Sequence, residues 1–275
     1  MLMEADRGRL EQIIGKGDVK ELSLRQAQRI ATETKMPLRV VEAFALEKAC
    51  APRRYQRNLG SLGTAGQKRL LESRVIVVGL GGVGGYVLEE LARAGVGQIV
   101  GVDPDVLDET NLNRQLLADQ DNLGKKKVDE AKKRLERVNE SVEFAGYAAS
   151  LDELSDEILR GADLVFDCLD NVENRLKLAD RCSDAGVVLV HGAIAGWYGQ
   201  VAVVCPGDGT LEKAYRRKQS SGIEQNLGNP PFTAALAASL MVAEGVKVLT
   251  GKRSNKKAKL LFFDLLEDEW QTIAF

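Results

Sequence analysis

Three groups of residues in this chain have the types and spacing to do chemistry. The first, Gly79-Leu80-Gly81-Gly82-Val83-Gly84-Gly85, fits G-x-G-x-x-G. Such glycines let a strand turn tightly into a helix and let an anion approach the free N–H groups at the helix start. Asp103 follows at the end of the next apolar run, where an acid takes ribose hydroxyls. The second group runs from Asp103-Pro104-Asp105 to Thr110-Asn111-Leu112-Asn113-Arg114-Gln115, with Lys125-Lys126-Lys127 behind it. A dinucleotide needs little charge beyond its pyrophosphate, whereas a triphosphate calls for several cations. The third group, Asp167-Cys168-Leu169-Asp170-Asn171, sets two acids at the end of an apolar run. Asp170 is suited either to Mg²⁺ or to capping the next helix.

Each of these groups has a plainer reading. The glycine loop alone says only adenine nucleotide, with NAD the default. Lys125 and Lys126 read as the solvated start of a helix. Asp167 reads as structural, and Arg175 as an ion-pair partner for the acids. His191, the only histidine, ends an apolar strand and reads as a satisfied structural side chain. Cys50, Cys168, Cys182 and Cys205 are scattered and form no CxxC pair, which fits a reducing compartment. Cys168 and Cys182 read as small buried apolar residues.

The elements that must position these residues follow from periodicity. Arg74–Val78 reads as a buried strand, Tyr86–Ala94 as a helix and Gln98–Asp103 as a parallel strand, a βαβ unit. The alternation continues with a helix over Lys126–Asn139, a strand over Ser141–Phe144, a helix over Leu151–Leu159 and a strand over Asp163–Asp167. A helix over Asn174–Ala185 and strands over Val187–His191 and Gly199–Val204 come next. This predicts an α/β fold with a doubly wound Rossmann-like sheet. A long polar loop from Pro206 to Pro231, an Ala-rich helix over Phe232–Leu249, a basic turn over Gly251–Lys257 and a hairpin over Lys259–Asp264 and Glu269–Ile273 complete a C-terminal antiparallel extension. Residues 1–53 read as a helical N-terminal arm, with Ser23 an N-cap and Met36-Pro37 a break. Its two short helices suit a docking or dimerisation arm better than a helix-turn-helix, because no basic stripe accompanies them.

With 38 basic and 40 acidic residues the formal net charge is -2, which favours neither nucleic acid nor an anionic membrane as partner. No apolar run is expected to reach membrane-span length, and the N-terminus lacks an apolar signal core. A cytoplasmic protein is expected.

Arg54-Tyr55-Gln56-Arg57, RVIVVGLGGVGG, AGVGQIVGVDPD, NLNRQ, GKKKVDEA and DCLDN together resemble the ThiF/MoeB/HesA family, relatives of the ubiquitin-activating enzymes. The likeness runs from about Arg54 to the C-terminus. It implies a ThiF-type adenylation domain over residues 54–275, with an ATP-binding half near 74–190 and a carrier-binding half near 191–275. It implies ATP at Gly79, Gly81, Gly82, Gly84, Asp103, Asp105, Asn111, Arg114, Gln115, Lys127, Asp170 and Asn171. Arg57, Arg114, Lys127 and Asp170 would be the catalytic residues, Asp170 as the Mg²⁺-associated acid and Arg57 reaching into a partner subunit, hence a homodimer. Thr110 stands where the family motif usually has Ser. The implied reaction is adenylation of the C-terminal carboxylate of a small β-grasp sulfur carrier ending in Gly-Gly, for molybdopterin or tungstopterin or thiamine synthesis. Alternatives are adenylation of another carboxylate, on a peptide or a tRNA nucleoside, a non-catalytic nucleotide-binding partner, or an NAD-dependent dehydrogenase. The last gains nothing from the Asn111–Gln115 segment.

The chain departs from many relatives in lacking two CxxC pairs. Lys213-Ala214-Tyr215-Arg216-Arg217 stands where the first would fall, so no structural zinc is expected. Residues 207–229 hold no cysteine, and Cys205 just before them is the one weak candidate for a catalytic thiol. The activity is therefore expected to stop at the acyl-adenylate, with a separate sulfurtransferase acting next. The loop over Pro206–Pro231 and the pair Trp197-Tyr198 are candidate carrier-docking surfaces.

Overall fold

The computed structural model describes residues 4–14, 20–215, 227–253 and 259–274. The N-terminal arm holds α1 (Glu4–Ile14), α2 (Leu24–Thr34) and α3 (Leu38–Glu47). Ser23 caps α2 through a full capping box with Gln26. Lys35, at φ 57°, ends α2, and Pro37 opens α3. The arm is not wholly helical: β1 (Glu21–Leu22) pairs in parallel with β2 (Ala51–Pro52). Leu10, Ile30, Val41 and Phe44 give it a small core. Ion pairs from Arg39 to Glu143 and from Arg54 to Glu42 tie the arm to the larger unit.

That unit opens with α4 (Gln56–Glu72), which is kinked at Gly63, where φ is 73°. Next come β3 (Arg74–Val78), α5 (Gly82–Ala94), β4 (Gln98–Val102), α6 (Lys127–Val138) and β5 (Glu143–Tyr147). The second half holds α7 (Asp156–Arg160), β6 (Leu164–Asp167), α8 (Val172–Ala185), β7 (Leu189–Ala195) and β8 (Tyr198–Val204). α9 (Thr210–Tyr215), α10 (Pro231–Leu249), β9 (Lys259–Asp264) and β10 (Glu269–Ala274) complete the described chain. The eight-stranded sheet has the order β10-β9-β8-β7-β6-β3-β4-β5. Pairing is parallel from β5 through β7 and antiparallel from β7 through β10. The expected doubly wound sheet with its antiparallel extension is present.

Strand period sends alternate side chains of β3 into two different cores. Val75 and Val77 face α4, α5, α6 and α10, while Ile76 and Val78 face α7, α8 and α9. Burial on both faces is why Val75–Val78 read as an unbroken apolar run. The chain order reverses between β3 and β6, leaving a crevice beyond their C-terminal ends, where open α/β sheets bind ligands.

Four expectations need correction. One helix, α10, is long and apolar enough to cross a membrane by length and composition, although no such run was expected. It packs on α5, β7 and β8 as a core helix, which accounts for its apolar residues. The helix expected over Leu151–Leu159 is a 3₁₀ turn at Leu151–Glu153 followed by the short α7, because Ser150 and Ser155 each cap a new start. The helix expected from Asn174 begins at Val172. The segment expected as a loop from Pro206 to Pro231 carries α9; its residues 216–226 lie outside the described residues, as do 254–258 of the basic turn.

Candidate active site

The crevice is a cleft of about 400 Å³. One wall is the glycine loop. Gly79, at φ 89°, lets the chain leave β3, and a Cβ there would sit 2.6 Å from the Cys168 carbonyl oxygen. A Cβ at Gly84 would overlap the Gly79 carbonyl oxygen, so Gly84 packs helix against strand and does not line the cleft. Gly81 and Gly82 do line it, at the open N-terminus of α5. The first N–H groups of that helix have no intrahelical acceptor and favour an anion. Arg114 leans over this spot, its Cγ 3.3 Å from where a Gly82 Cβ would lie.

Asp103 is 4% exposed and accepts from the Leu80 N–H at 2.7 Å and the Asp105 N–H at 2.9 Å. It therefore fixes the glycine loop as well as lining the cleft. The Asp105 side chain is 64% exposed. Lys127, only 6% exposed, holds its ammonium 2.8 Å from Asp105 and 3.5 Å from Asp103. Lys125 and Lys126 are exposed, and Lys125 bonds the Asp121 carbonyl. Arg114 donates to the Thr110 carbonyl at 2.8 Å and to Asn113 at 2.9 Å. Asn113 in turn donates to the Asn229 carbonyl at 3.2 Å.

On the opposite wall, Asn171 rather than Asp170 caps α8, accepting from the Asn174 N–H at 2.8 Å. The Asp170 carboxylate stays exposed on the cleft rim, its nearest described partner the Asn171 amide at 3.5 Å. Among the described residues no three His, Cys, Asp or Glu side chains gather for a metal ion. One exposed carboxylate facing a phosphate site nonetheless suits Mg²⁺, which binds through one or two carboxylates plus substrate phosphates. A triphosphate suits the remaining residues, with an open helix start and two cations on one side. Gln115 adds a buried Oε1 with no described hydrogen-bond partner in the same wall.

The cleft thus brings together Gly79, Gly81, Gly82, Asp103, Asp105, Arg114, Gln115, Lys127, Asp170 and Asn171. Three expected residues lie elsewhere. Gly84 is behind the loop. Asn111 is buried in its own turn, accepting from the Asp108 N–H at 3.1 Å. Arg57 is exposed on α4, outside this chain's cleft. Sequence reading missed Ala149–Leu151 at the end near β5, and Gly192–Ile194 and Asn229 at the other. The capping box at Ser150–Glu153 could have marked the first; nothing local marks the others.

Burial pushes the thiols of Cys50, Cys168 and Cys182 up, Cys182 to about 12, so these sulfurs stay protonated and are poor nucleophiles. Beside the cleft, Trp197, Leu227 and Phe232 are exposed, with Trp197 and Phe232 packed at 4.7 Å between ring centroids. Tyr198 is half-buried against Phe262.

Comparison with known proteins agrees with this architecture. The ThiF family model matches residues 55–275. The chain is 31% identical to the SAMP-activating enzyme E1 of Haloferax volcanii, over 81% of this chain and 84% of that protein. It is 36% identical to the sulfur carrier protein adenylyltransferase of Thermus thermophilus, over 80% of this chain and 86% of that protein. Some curated relatives are longer: the chain spans about half (53%) of the adenylyltransferase and sulfurtransferase MOCS3 of Xenopus laevis. Among solved structures, Escherichia coli MccB superposes with a TM-score of 0.69 at 21% identity, over 80% of this chain and 69% of that one, which shows a shared fold.

Proposed function

The chain belongs to the ThiF family, and from that premise we propose that it transfers the adenylyl group of ATP to the C-terminal carboxylate of a small ubiquitin-like sulfur-carrier protein, for cofactor biosynthesis. The observation that carries this reading is the convergence of an open helix N-terminus, Arg114, Lys127 and Asp170 on one cleft.

In this reading the carrier carboxylate attacks the α-phosphorus in line. A new C(O)–O–P bond forms, the α–β bridging P–O bond breaks, and pyrophosphate leaves with the electron pair. The protein supplies no nucleophile; it positions reactants and stabilises the charge that moves onto the β- and γ-phosphates. Asp103 takes the ribose hydroxyls, and Lys127 leaves its ion pairs with Asp103 and Asp105 to meet phosphate oxygens. Arg114 and the first N–H groups of α5 hold the phosphate chain. Mg²⁺, held by Asp170 and the phosphates, would neutralise charge on the leaving pyrophosphate. Arg57, exposed on α4, serves the cleft of a second subunit in a homodimer.

The carrier enters past Gly192–Ile194 and Asn229, the end of the cleft away from Asp105, and docks on the exposed apolar surface of Trp197, Leu227 and Phe232. A Gly-Gly tail suits so narrow an approach, because glycine lets backbone pass close to the nucleotide. Burial takes three of the four thiols, Cys50, Cys168 and Cys182, out of play as nucleophiles, which supports a reaction that ends at the acyl-adenylate, with a separate sulfurtransferase completing thiocarboxylate formation in the cytoplasm. Molybdopterin, tungstopterin or thiamine synthesis is the destination.

The test is ATP–pyrophosphate exchange, with Mg²⁺ and a panel of β-grasp carriers ending in Gly-Gly. Exchange should require a carrier with an intact Gly-Gly carboxylate and vanish in Asp170→Ala. Exchange that proceeds equally without any carrier would refute the proposed substrate.

A further inference from the structure

Leu169 immediately precedes Asp170, and both of its backbone polar groups are held by side chains. Its N–H donates to Asp167 Oδ1 at 3.0 Å, and its carbonyl accepts from Arg175 Nε at 3.0 Å. These two side chains are themselves joined. Asp167 Oδ2 lies 2.7 Å from His191 Nδ1, His191 Nε2 lies 3.1 Å from the Tyr215 hydroxyl, and Arg175 Nη1 donates to that hydroxyl at 3.3 Å. Gln200 Nε2 also donates to it, at 2.7 Å. The result is a closed ring, Leu169–Asp167–His191–Tyr215–Arg175, in which Asp167 and His191 are 0% exposed.

A neutral imidazole fits these contacts, with Gln200 Nε2 also 3.2 Å from His191 Nε2. Nδ1–H donates to the Asp167 carboxylate, which leaves Nε2 as the acceptor for the Tyr215 O–H. The Tyr215 oxygen then accepts from Gln200 and Arg175. A buried network with every member satisfied is rigid, since any loop conformation that opens it strands a polar group. Together with Gln200 the ring draws on β6, β7, β8, α8 and the last residue of α9, so five elements fix one peptide.

We propose that this ring sets the orientation of Asp170 toward nucleotide and metal, and that Tyr215, His191 and Arg175 are positioning residues for adenylation. This rests on the reading of Asp170 given above. It gives the sole histidine and the α9 tyrosine a task in the reaction although neither touches the reacting atoms.

The experiment measures binding of α,β-methylene ATP by calorimetry, in Mg²⁺ and in EDTA, for wild type, Tyr215→Phe, His191→Gln and Asp170→Asn. Tyr215→Phe removes only the hydroxyl that closes the ring. It should weaken binding about fivefold to tenfold in Mg²⁺, the effect of roughly one hydrogen bond, and by less than about twofold in EDTA. His191→Gln should behave alike, and the double variant should lose no more than either single one, as members of one network do. Asp170→Asn should lose the Mg²⁺ dependence altogether. Wild-type Mg²⁺ dependence in Tyr215→Phe, or equal weakening with and without Mg²⁺, overturns the ring's role. Retained Mg²⁺ dependence in Asp170→Asn overturns the reading of Asp170 itself, and the ring's role with it.

Discussion

Replacing Lys127 by methionine separates the chemistry of the cleft from its stability. The ammonium is buried between two acids, 3.5 Å from Asp103 and 2.8 Å from Asp105. Breaking a fully buried pair from one side costs roughly 3–5 kcal/mol. Two features lower that figure here. The Asp105 carboxylate is 64% exposed, so water replaces the lost cation. Asp103 keeps its two backbone donors, Leu80 and Asp105. A loss of about 2 kcal/mol follows, equivalent to a fall in Tm of about 4–8 °C in a protein of this size. From an ordinary stability of at least about 5 kcal/mol, more than roughly 99% of the variant stays folded at 25 °C. The rate should fall much further. Losing one preorganised group aimed at developing charge costs on the order of a hundredfold to a thousandfold in kcat. Exchange of labelled pyrophosphate into ATP measures the second effect and thermal unfolding the first. A Lys127→Met enzyme that unfolds as described yet exchanges within about tenfold of wild type would refute the assignment of Lys127 to the phosphates.

Three further outcomes are expected. Arg57→Ala and Asp170→Ala, each inactive alone in ATP–pyrophosphate exchange, should recover partial activity when mixed, because one of the two shared sites regains both residues; an inactive mixture counts against a shared site. Gly84→Ala should destabilise by roughly 1–3 kcal/mol, since its methyl meets the Gly79 backbone oxygen, which has nowhere to go; an unchanged urea midpoint would contradict the packing described. Glu42 should leave a mark on the pH dependence of stability. Burial, opposed by the Arg54 charge and the Ser141 hydrogen bond, holds its carboxyl above the ordinary 4.5, so the folded state binds the proton more tightly than the unfolded one. Its contribution is full below 4.5 and is lost as pH rises through the folded value. Urea midpoints across that window should fall with pH in wild type more than in Glu42→Gln, and parallel profiles would show that Glu42 is not the cause.

Much of this protein was legible in residue order because the signals were local. The apolar run Val75–Val78, the glycine turn after it and the acid ending the next strand each follow from a few adjacent residues, so strand, turn and helix were placed without tertiary information. Ser23 announced the start of α2 in the same way. Asp170 was visible as a residue but not as a free carboxylate. Whether it or Asn171 capped α8 turned on a single backbone position, which folding settled in favour of Asn171.

What the tertiary structure decided are relations across the sheet. The order β5-β4-β3-β6-β7 puts Lys127 beside Asp105 and both opposite Asp170, and no periodicity encodes which strand lies next to which. Gly192–Ile194 and Asn229 line the cleft only because β7 runs beside β6 and α10 packs back against α5. The span-length apolar composition of α10 has the same origin: a helix laid across a sheet buries its small side chains where sequence alone reads only hydrophobicity. His191 could be read from sequence as a satisfied histidine. That its partners are Asp167 and Tyr215, 24 residues away on either side, depends on long-range packing, which joins groups the chain keeps apart.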